Sequence, residues 1–151
     1  MIIGIDPDMR KSGVCILDSM GQITLIESMD INELIRVIDY NKDAVFAIED
    51  VTKIKGMYAK HKRANTAVGL KIAQSVGMVK ASATIIQDLI AVRTGKRPIL
   101  APVGLGKQIK NDAKLFKEIT GYNKPTNEDK RDAWAIANWV FNNKERLVKP
   151  L

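Results

Sequence analysis

The chain has 151 residues, enough for a substantial core, and we expect a single domain over residues 1–151. Its hydrophobic fraction of 46% and charged fraction of 27% are ordinary for a globular protein, and no uninterrupted apolar run reaches the roughly 20 residues of a membrane span. The single cysteine, Cys15, excludes an internal disulfide and a cysteine-based zinc cluster. Together these features predict a cytoplasmic protein without a membrane partner.

The net charge of +7 is concentrated in the middle of the chain. Residues 51–111 hold twelve Lys or Arg and one acid, Asp88, so the rest of the chain is net acidic. A basic region on an otherwise acidic protein is typical of a surface that binds phosphate groups. We therefore expect a nucleic-acid partner, and the alternative is a solvated lysine-rich surface.

Apolar runs, turn residues and caps predict an α/β domain with a mixed sheet and helices on its faces. Short turns between the first three strands indicate an antiparallel meander. Asp30 and Glu33 have the spacing of a capping box at the first helix. The strands are expected at 1–6, 14–17, 23–27, 45–48 and 99–101. The helices are expected at 30–40, 64–93, 107–120 and 127–142, with a basic loop over 52–63.

Four carboxylates border these apolar segments. Asp6 ends the first strand, Glu49 ends the fourth, and Asp129 and Asp132 lie on one face of the last helix because they are three residues apart. An ionised carboxylate beside a core is costly unless a positive charge meets it. If the first and fourth strands pair and the last helix packs beside their ends, the four acids form an oxygen-lined site for a hard divalent cation.

Two of these acids have alternative readings. Asp50 rivals Glu49, and Asp129 falls in a capping box with Thr126 at the N-cap. Asp132 lies past the first helical turn, where capping explains it poorly. The chemistry that such a site suits is phosphodiester hydrolysis, in which two divalent ions activate a water and stabilise the leaving oxygen.

Three motifs in order, over nearly the whole chain, resemble the RuvC family of Holliday junction resolvases, within the RNase H-like nuclease superfamily. A further stretch, Ile72 to Gly77, resembles part of the long helix through which that family dimerises. The three motifs are Gly4-Ile5-Asp6-Pro7, Phe46-Ala47-Ile48-Glu49 and Asp129-x-x-Asp132-Ala-x-Ala-Ile-Ala.

The resemblance implies an RNase H-like fold with a five-stranded mixed sheet flanked by helices. It also implies a homodimer that resolves four-way DNA junctions by paired symmetric nicks, with its interface helix around residues 73–83. The implied cofactor is Mg²⁺, two ions per active site with Mn²⁺ as a substitute. Its implied ligands, which are also the catalytic acids, are Asp6, Glu49, Asp129 and Asp132.

The chain departs from the family at two places. Bacterial members carry an aromatic residue three positions after the Glu, where this chain has Thr52, and Tyr58 and Met57 in the basic loop are the candidates to replace it. The family has important lysines after the fifth strand, and Lys107 is the candidate here. The rich basic loop favours a phage-type relative, which would act in the host cytoplasm.

The basic loop is expected to bind DNA at the branch point, since it follows Glu49 directly. Two alternatives to a junction resolvase remain: an RNase H-like nuclease with broader specificity for forks and flaps, and a branched-DNA-binding protein that does not cleave. The DNA-binding candidates are Lys53, Lys55, Tyr58, Lys60, Lys62 and Arg63.

Overall fold

The computed structural model describes residues 1–54 and 67–148, and the strands in these ranges form one five-stranded sheet. The strands are β1 (Ile2–Asp6), β2 (Ser12–Leu17), β3 (Ile23–Met29), β4 (Val45–Glu49) and β5 (Ile99–Ala101). Their order across the sheet is β3-β2-β1-β4-β5. The β1–β2 and β2–β3 pairs are antiparallel, whereas β1–β4 and β4–β5 are parallel. The predicted mixed sheet, with its antiparallel meander, is confirmed.

Helices cover both faces of the sheet. Side chains of α1 and α2 pack on one face, and side chains of α3, α4 and α5 pack on the other, so two hydrophobic clusters sandwich the strands. The helices are α1 (Ile31–Tyr40), α2 (Ala67–Thr94), α3 (Lys107–Lys110), α4 (Ala113–Thr120), α5 (Glu128–Asn142) and α6 (Lys144–Leu147). The expectation of an α/β domain with helices on both faces is met.

The capping box of α1 is formed as predicted, because Asp30 accepts hydrogen bonds from two backbone amides and Glu33 accepts one from the Asp30 amide. The single helix expected over 107–120 is wrong. It divides at Asn111, because the Asp112 carboxylate accepts the Leu115 amide at 2.8 Å and thereby begins α4. A side-chain acceptor at an N-cap competes with helix continuation, which helical periodicity does not reveal.

The predicted N-cap of α5, Thr126, is also wrong by one residue. Asn127, not Thr126, accepts the Lys130 amide, at 3.0 Å. The Thr126 hydroxyl instead accepts a hydrogen bond from Arg131 at 3.1 Å. Asp129 therefore lies in the first turn of α5, and Asp132 lies one turn further along.

Two glycines allow α5 to lie unusually close to the sheet. A Cβ atom at Gly4 would stand 2.3 Å from the carbonyl oxygen of Ala133, and one at Gly13 would stand 2.1 Å from that of Asp129. Both atoms belong to helix backbone, which cannot rotate away as a side chain would. The glycines thus set the depth at which α5 carries its acids over the end of β1.

Helix α2 exposes much of its apolar surface. By length and mean hydropathy, 1.3, its segment Gly69–Thr94 meets the criteria for a membrane span, and only 22% of its most apolar window is buried. Core helices of soluble proteins meet the same two criteria. Its inner face, with Ala83, Ile86 and Ile90, packs on the sheet, whereas Met78 and Ile85 are exposed.

Candidate active site

Asp6 and Glu49 lie at the same edge of the sheet. β1 and β4 are parallel neighbours in which Ile5 is opposite Ile48. The next residues, Asp6 and Glu49, are the last of their strands and therefore lie side by side. Glu49 Oε1 accepts the backbone amide of Gly104 at 3.0 Å. The predicted pairing of the two strands is confirmed, and it places both carboxylates at one edge.

Helix α5 brings the other two acids to Asp6. Burial is the largest cause that raises the pKa of Asp6 to about 8, and the negative charges of Asp132, Glu49 and Asp129 contribute in that order. Burial also raises the pKa of Asp129, with contributions from Asp8 and Asp132. Acids from three distant parts of the chain therefore act on one another in one partly buried site.

The cation that meets these acids is Lys110, at the end of α3. Its Nζ donates to Asp132 Oδ2 at 2.6 Å, and this hydrogen bond raises the pKa of the Lys110 ammonium. Lys110 also lowers the pKa of Asp6. Sequence reasoning missed this lysine, although it is three residues after Lys107 and so shares a helix face with it.

Lys107 lies near the site but is not placed in ionic contact with its acids. Its side chain packs against Gly104, where a Cβ would stand 2.8 Å from the lysine Cε. Gly104 has a φ of +79°, which favours glycine, and its amide is the one that binds Glu49. The loop from β5 to α3 thus contributes a backbone donor that the sequence did not reveal.

Asp50, the rival of Glu49, is engaged elsewhere. Its carboxylate accepts the Thr52 hydroxyl at 2.5 Å and pairs with Lys53 at 3.3 Å, and the Thr52 hydrogen bond is the main reason that its pKa is lowered. These contacts close a short 3-10 turn over Val51–Lys53. The exposed Lys53 begins the basic loop, whereas Lys55, Tyr58, Lys60, Lys62 and Arg63 lie outside the described residues.

The donor set of the site fits a hard divalent cation. Asp132 Oδ1 is buried and has no hydrogen-bond partner in the described ranges, and Asp6 is desolvated among like charges. A cation would satisfy both, since carboxylate oxygens are what Mg²⁺ binds. Within residues 1–54 and 67–148, however, no three acidic, His or Cys side chains are already placed to hold a metal. Binding would require the carboxylates to move closer together, while Asp132 could keep Lys110 on Oδ2 and offer Oδ1 to the metal.

Metal-free protein is expected to lose stability as the pH rises from about 5 to about 8. The pKa of Asp6 is higher in the folded protein than its ordinary 3.8, so the folded state binds more protons than the unfolded state across this interval. The free energy of unfolding therefore falls as the pH rises. Asp129 acts in the same direction. Thermal melts in EDTA would show the decline, and Asp6→Asn should flatten it. A flat wild-type profile would contradict the burial of an ionisable Asp6.

Comparison with solved structures supports the same fold. The chain superposes on Thermus thermophilus RuvC in complex with a Holliday junction substrate with a TM-score of 0.56 and 17% identity, covering 99% of this chain and 98% of that one. A second structure of T. thermophilus RuvC gives a TM-score of 0.52 and 19% identity, with 99% of each chain covered. No family model matches the sequence, and no curated protein matches it. The chain therefore has a RuvC-like, RNase H-like fold, as its motifs predicted.

Proposed function

We propose that this chain is a divalent-metal-dependent endonuclease that resolves four-way DNA junctions by paired symmetric nicks. The observation that carries the proposal is the meeting of Asp6, Glu49, Asp129 and Asp132 at one sheet edge of a RuvC-like fold. The four acids otherwise destabilise the fold, because like charges beside a core raise the free energy of the folded state. Such a cost is typical of a functional site.

Two Mg²⁺ ions, or Mn²⁺ ions, would be held by these four carboxylates and would supply the activated water and the stabilisation of the leaving oxygen. The remaining residues prepare that site. The Gly104 amide holds one carboxylate oxygen of Glu49, and Lys110 balances the charge of Asp132. When a substrate phosphate enters, the Lys110 ammonium is close enough to the acids to contact it.

Cleavage of matched DNA substrates tests the proposal. The purified protein is incubated with a four-way junction, a fork, a flap, a linear duplex and an RNA–DNA hybrid, with Mg²⁺, with Mn²⁺ or with EDTA. We expect symmetric nicks in the four-way junction only when metal is present. Preferred cutting of forks and flaps would instead support the broader nuclease, and binding without cutting in either metal would support a non-cleaving DNA-binding protein.

A symmetric homodimer would supply two such sites for the two nicks, since a two-fold interface places identical sites on both subunits. The described structure supports α2 as the interface helix. Its exposed apolar residues Met78, Ile85 and Val92 recur every seven positions, which places them along one face of the helix. Covering this face with a second copy would remove a large apolar surface from water.

Met78→Glu is expected to convert the dimer to a monomer, because it places a charge in the apolar face of α2. Sedimentation at tens of micromolar gives the mass of each variant. Met20→Glu is the matched control, since Met20 is exposed in the turn between β2 and β3 and should leave the dimer intact. A monomeric wild type with full cleavage activity would contradict the dimer, and flotation of the wild type with phosphatidylcholine vesicles would assign α2 to a membrane.

Residues 53–63 are proposed to contact the branch point of the junction. Replacing Lys60, Lys62 and Arg63 with Ala is expected to weaken binding to all DNA forms and to lower the salt dependence by about one phosphate contact per residue. Tyr58→Ala should instead reduce the preference for junctions over linear duplex, because stacking of a base on an aromatic ring contributes roughly 1–3 kcal/mol. Binding titrations at several salt concentrations separate the two effects. An unchanged preference in Tyr58→Ala would leave the loop as an electrostatic clamp alone.

A further inference from the structure

Arg131 is a buried cation that lies between Asp129 and Asp132 in the sequence of α5. It is 6% exposed, and all four of its hydrogen bonds reach neutral oxygens. Nε and Nη2 donate to the Lys110 carbonyl, and Nη1 donates to the carbonyl and the hydroxyl of Thr126. Within the described residues it has no carboxylate partner in an ion pair. A buried charge without an ion-pair partner costs free energy, so the hydrogen bonds of Arg131 point to a role that an apolar side chain could not fill.

The residue that Arg131 holds is the lysine of the acidic site. Two consecutive residues of α5 contact Lys110. Arg131 donates to its backbone carbonyl, and Asp132 accepts a hydrogen bond from its ammonium at 2.6 Å. Helix α3 has only four residues and no side-chain hydrogen bond at its N-cap, so its own contacts position its last residue weakly. A long lysine side chain reaches a defined point only if its backbone is fixed.

We propose that Arg131 is a positioning residue that fixes the backbone of Lys110 so that the lysine ammonium meets Asp132. The planar guanidinium suits this role, because its fork donates twice to the Lys110 carbonyl and still reaches Thr126. A lysine at position 131 would keep the charge but could not form this fork. The placement of Lys110 stands on the contacts themselves, and its consequence for cleavage rests on the proposed function.

Chemical labelling tests the placement without metal, DNA or activity. An amine held by a carboxylate reacts slowly with an acetylating reagent, and the rate at Lys110 is read by mass spectrometry against the exposed Lys107 as internal reference. Asp132→Asn removes the carboxylate charge and should raise the Lys110 rate by roughly five- to ten-fold, as expected for a lost charge-assisted hydrogen bond. Arg131→Lys should raise it by a similar factor.

Thr126→Val is the matched control, because it removes only the hydroxyl arm of the Arg131 contacts and should leave the Lys110 rate unchanged. Circular dichroism melts establish that each variant is folded at the labelling temperature, and Arg131→Gln replaces Arg131→Lys if the latter is not. A wild-type rate at Lys110 in the Arg131 variant overturns the proposal, as does a wild-type protein that already reacts as fast as Asp132→Asn.

A double-mutant cycle tests the consequence for cleavage. If Arg131 acts through Lys110, Arg131→Lys should slow single-turnover cleavage in the wild-type background and have no further effect in Lys110→Met. A merely structural role for Arg131 predicts equal factors in both backgrounds, and that result would overturn the consequence. If the wild type cleaves no substrate, the proposed function fails, and the labelling result still decides whether Arg131 positions Lys110.

Discussion

Asp6→Asn and Asp132→Asn are each expected to lower single-turnover cleavage of a four-way junction by about a thousand-fold or more, while junction binding persists. Each change keeps the size of the side chain and removes one charge from the metal site. A bound metal contributes several kcal/mol to transition-state stabilisation, and each 1.4 kcal/mol corresponds to a factor of ten in rate. Binding should survive because Lys and Arg contacts to phosphate dominate it.

Asp6→Asn should also be more stable than the wild type in EDTA at neutral pH. The wild-type protein must bind a proton at Asp6 to fold at this pH, because burial and the charges of Asp132 and Glu49 raise the pKa of Asp6 to about 8, whereas the neutral Asn needs no proton. Loss of activity with a raised melting temperature separates a functional role from misfolding. Asp129→Asn should lower the rate less, since the first turn of a helix favours acids for capping reasons as well.

Asp112→Asn is the matched control for these variants, because Asn also caps helices and position 112 is outside the acidic site. It should leave the rate and the melting temperature almost unchanged. Near-normal turnover by Asp6→Asn or by Asp132→Asn would remove that residue from the proposed metal site.

Gly13→Ala is expected to destabilise the fold by about 3 kcal/mol and to abolish most of the cleavage. The new Cβ would stand 2.1 Å from the carbonyl oxygen of Asp129, and helix backbone can escape only by moving α5 as a whole. Overpacking of this kind costs typically 1–3 kcal/mol, occasionally more. The displaced helix would carry Asp129 and Asp132 away from Asp6, and a misplacement of about 1 Å can cost a hundred-fold in rate.

Gly77→Ala adds the same methyl group to the exposed side of α2, where nothing in the described structure lies within 4 Å of it. It should leave subunit stability unchanged or slightly raised, since Ala is the better helix former by about 1 kcal/mol. Urea unfolding compares the two variants, each made in the Met78→Glu background so that the proposed dimer does not contribute to the measured stability. A Gly13→Ala protein as stable as the wild type would show that α5 does not depend on this close approach.

The elements and the acids that end them could be predicted from the sequence because their signals are local. Short continuous apolar runs bounded by turn residues identify the strands that end at Asp6 and Glu49, and a period of 3.6 places Asp129 and Asp132 on one helix face. The element order allowed the pairing of β1 with β4 as a condition of the acidic site, and the structure meets that condition with a parallel pair.

Only the tertiary structure decided which neighbouring residue of the same type reaches the site. Lys107 and Lys110 share a helix face, but Lys110 pairs with Asp132 whereas Lys107 packs against Gly104. Asp50 and Glu49 are adjacent, and the Thr52 hydroxyl engages the former. The close approach of α5 to Gly13, where a Cβ would stand 2.1 Å from the Asp129 carbonyl oxygen, depends on atoms far apart in the chain. The hydrogen bonds from Arg131 to the Lys110 carbonyl do so as well. Local periodicity carries no information on such contacts, because they arise only when separate elements pack together.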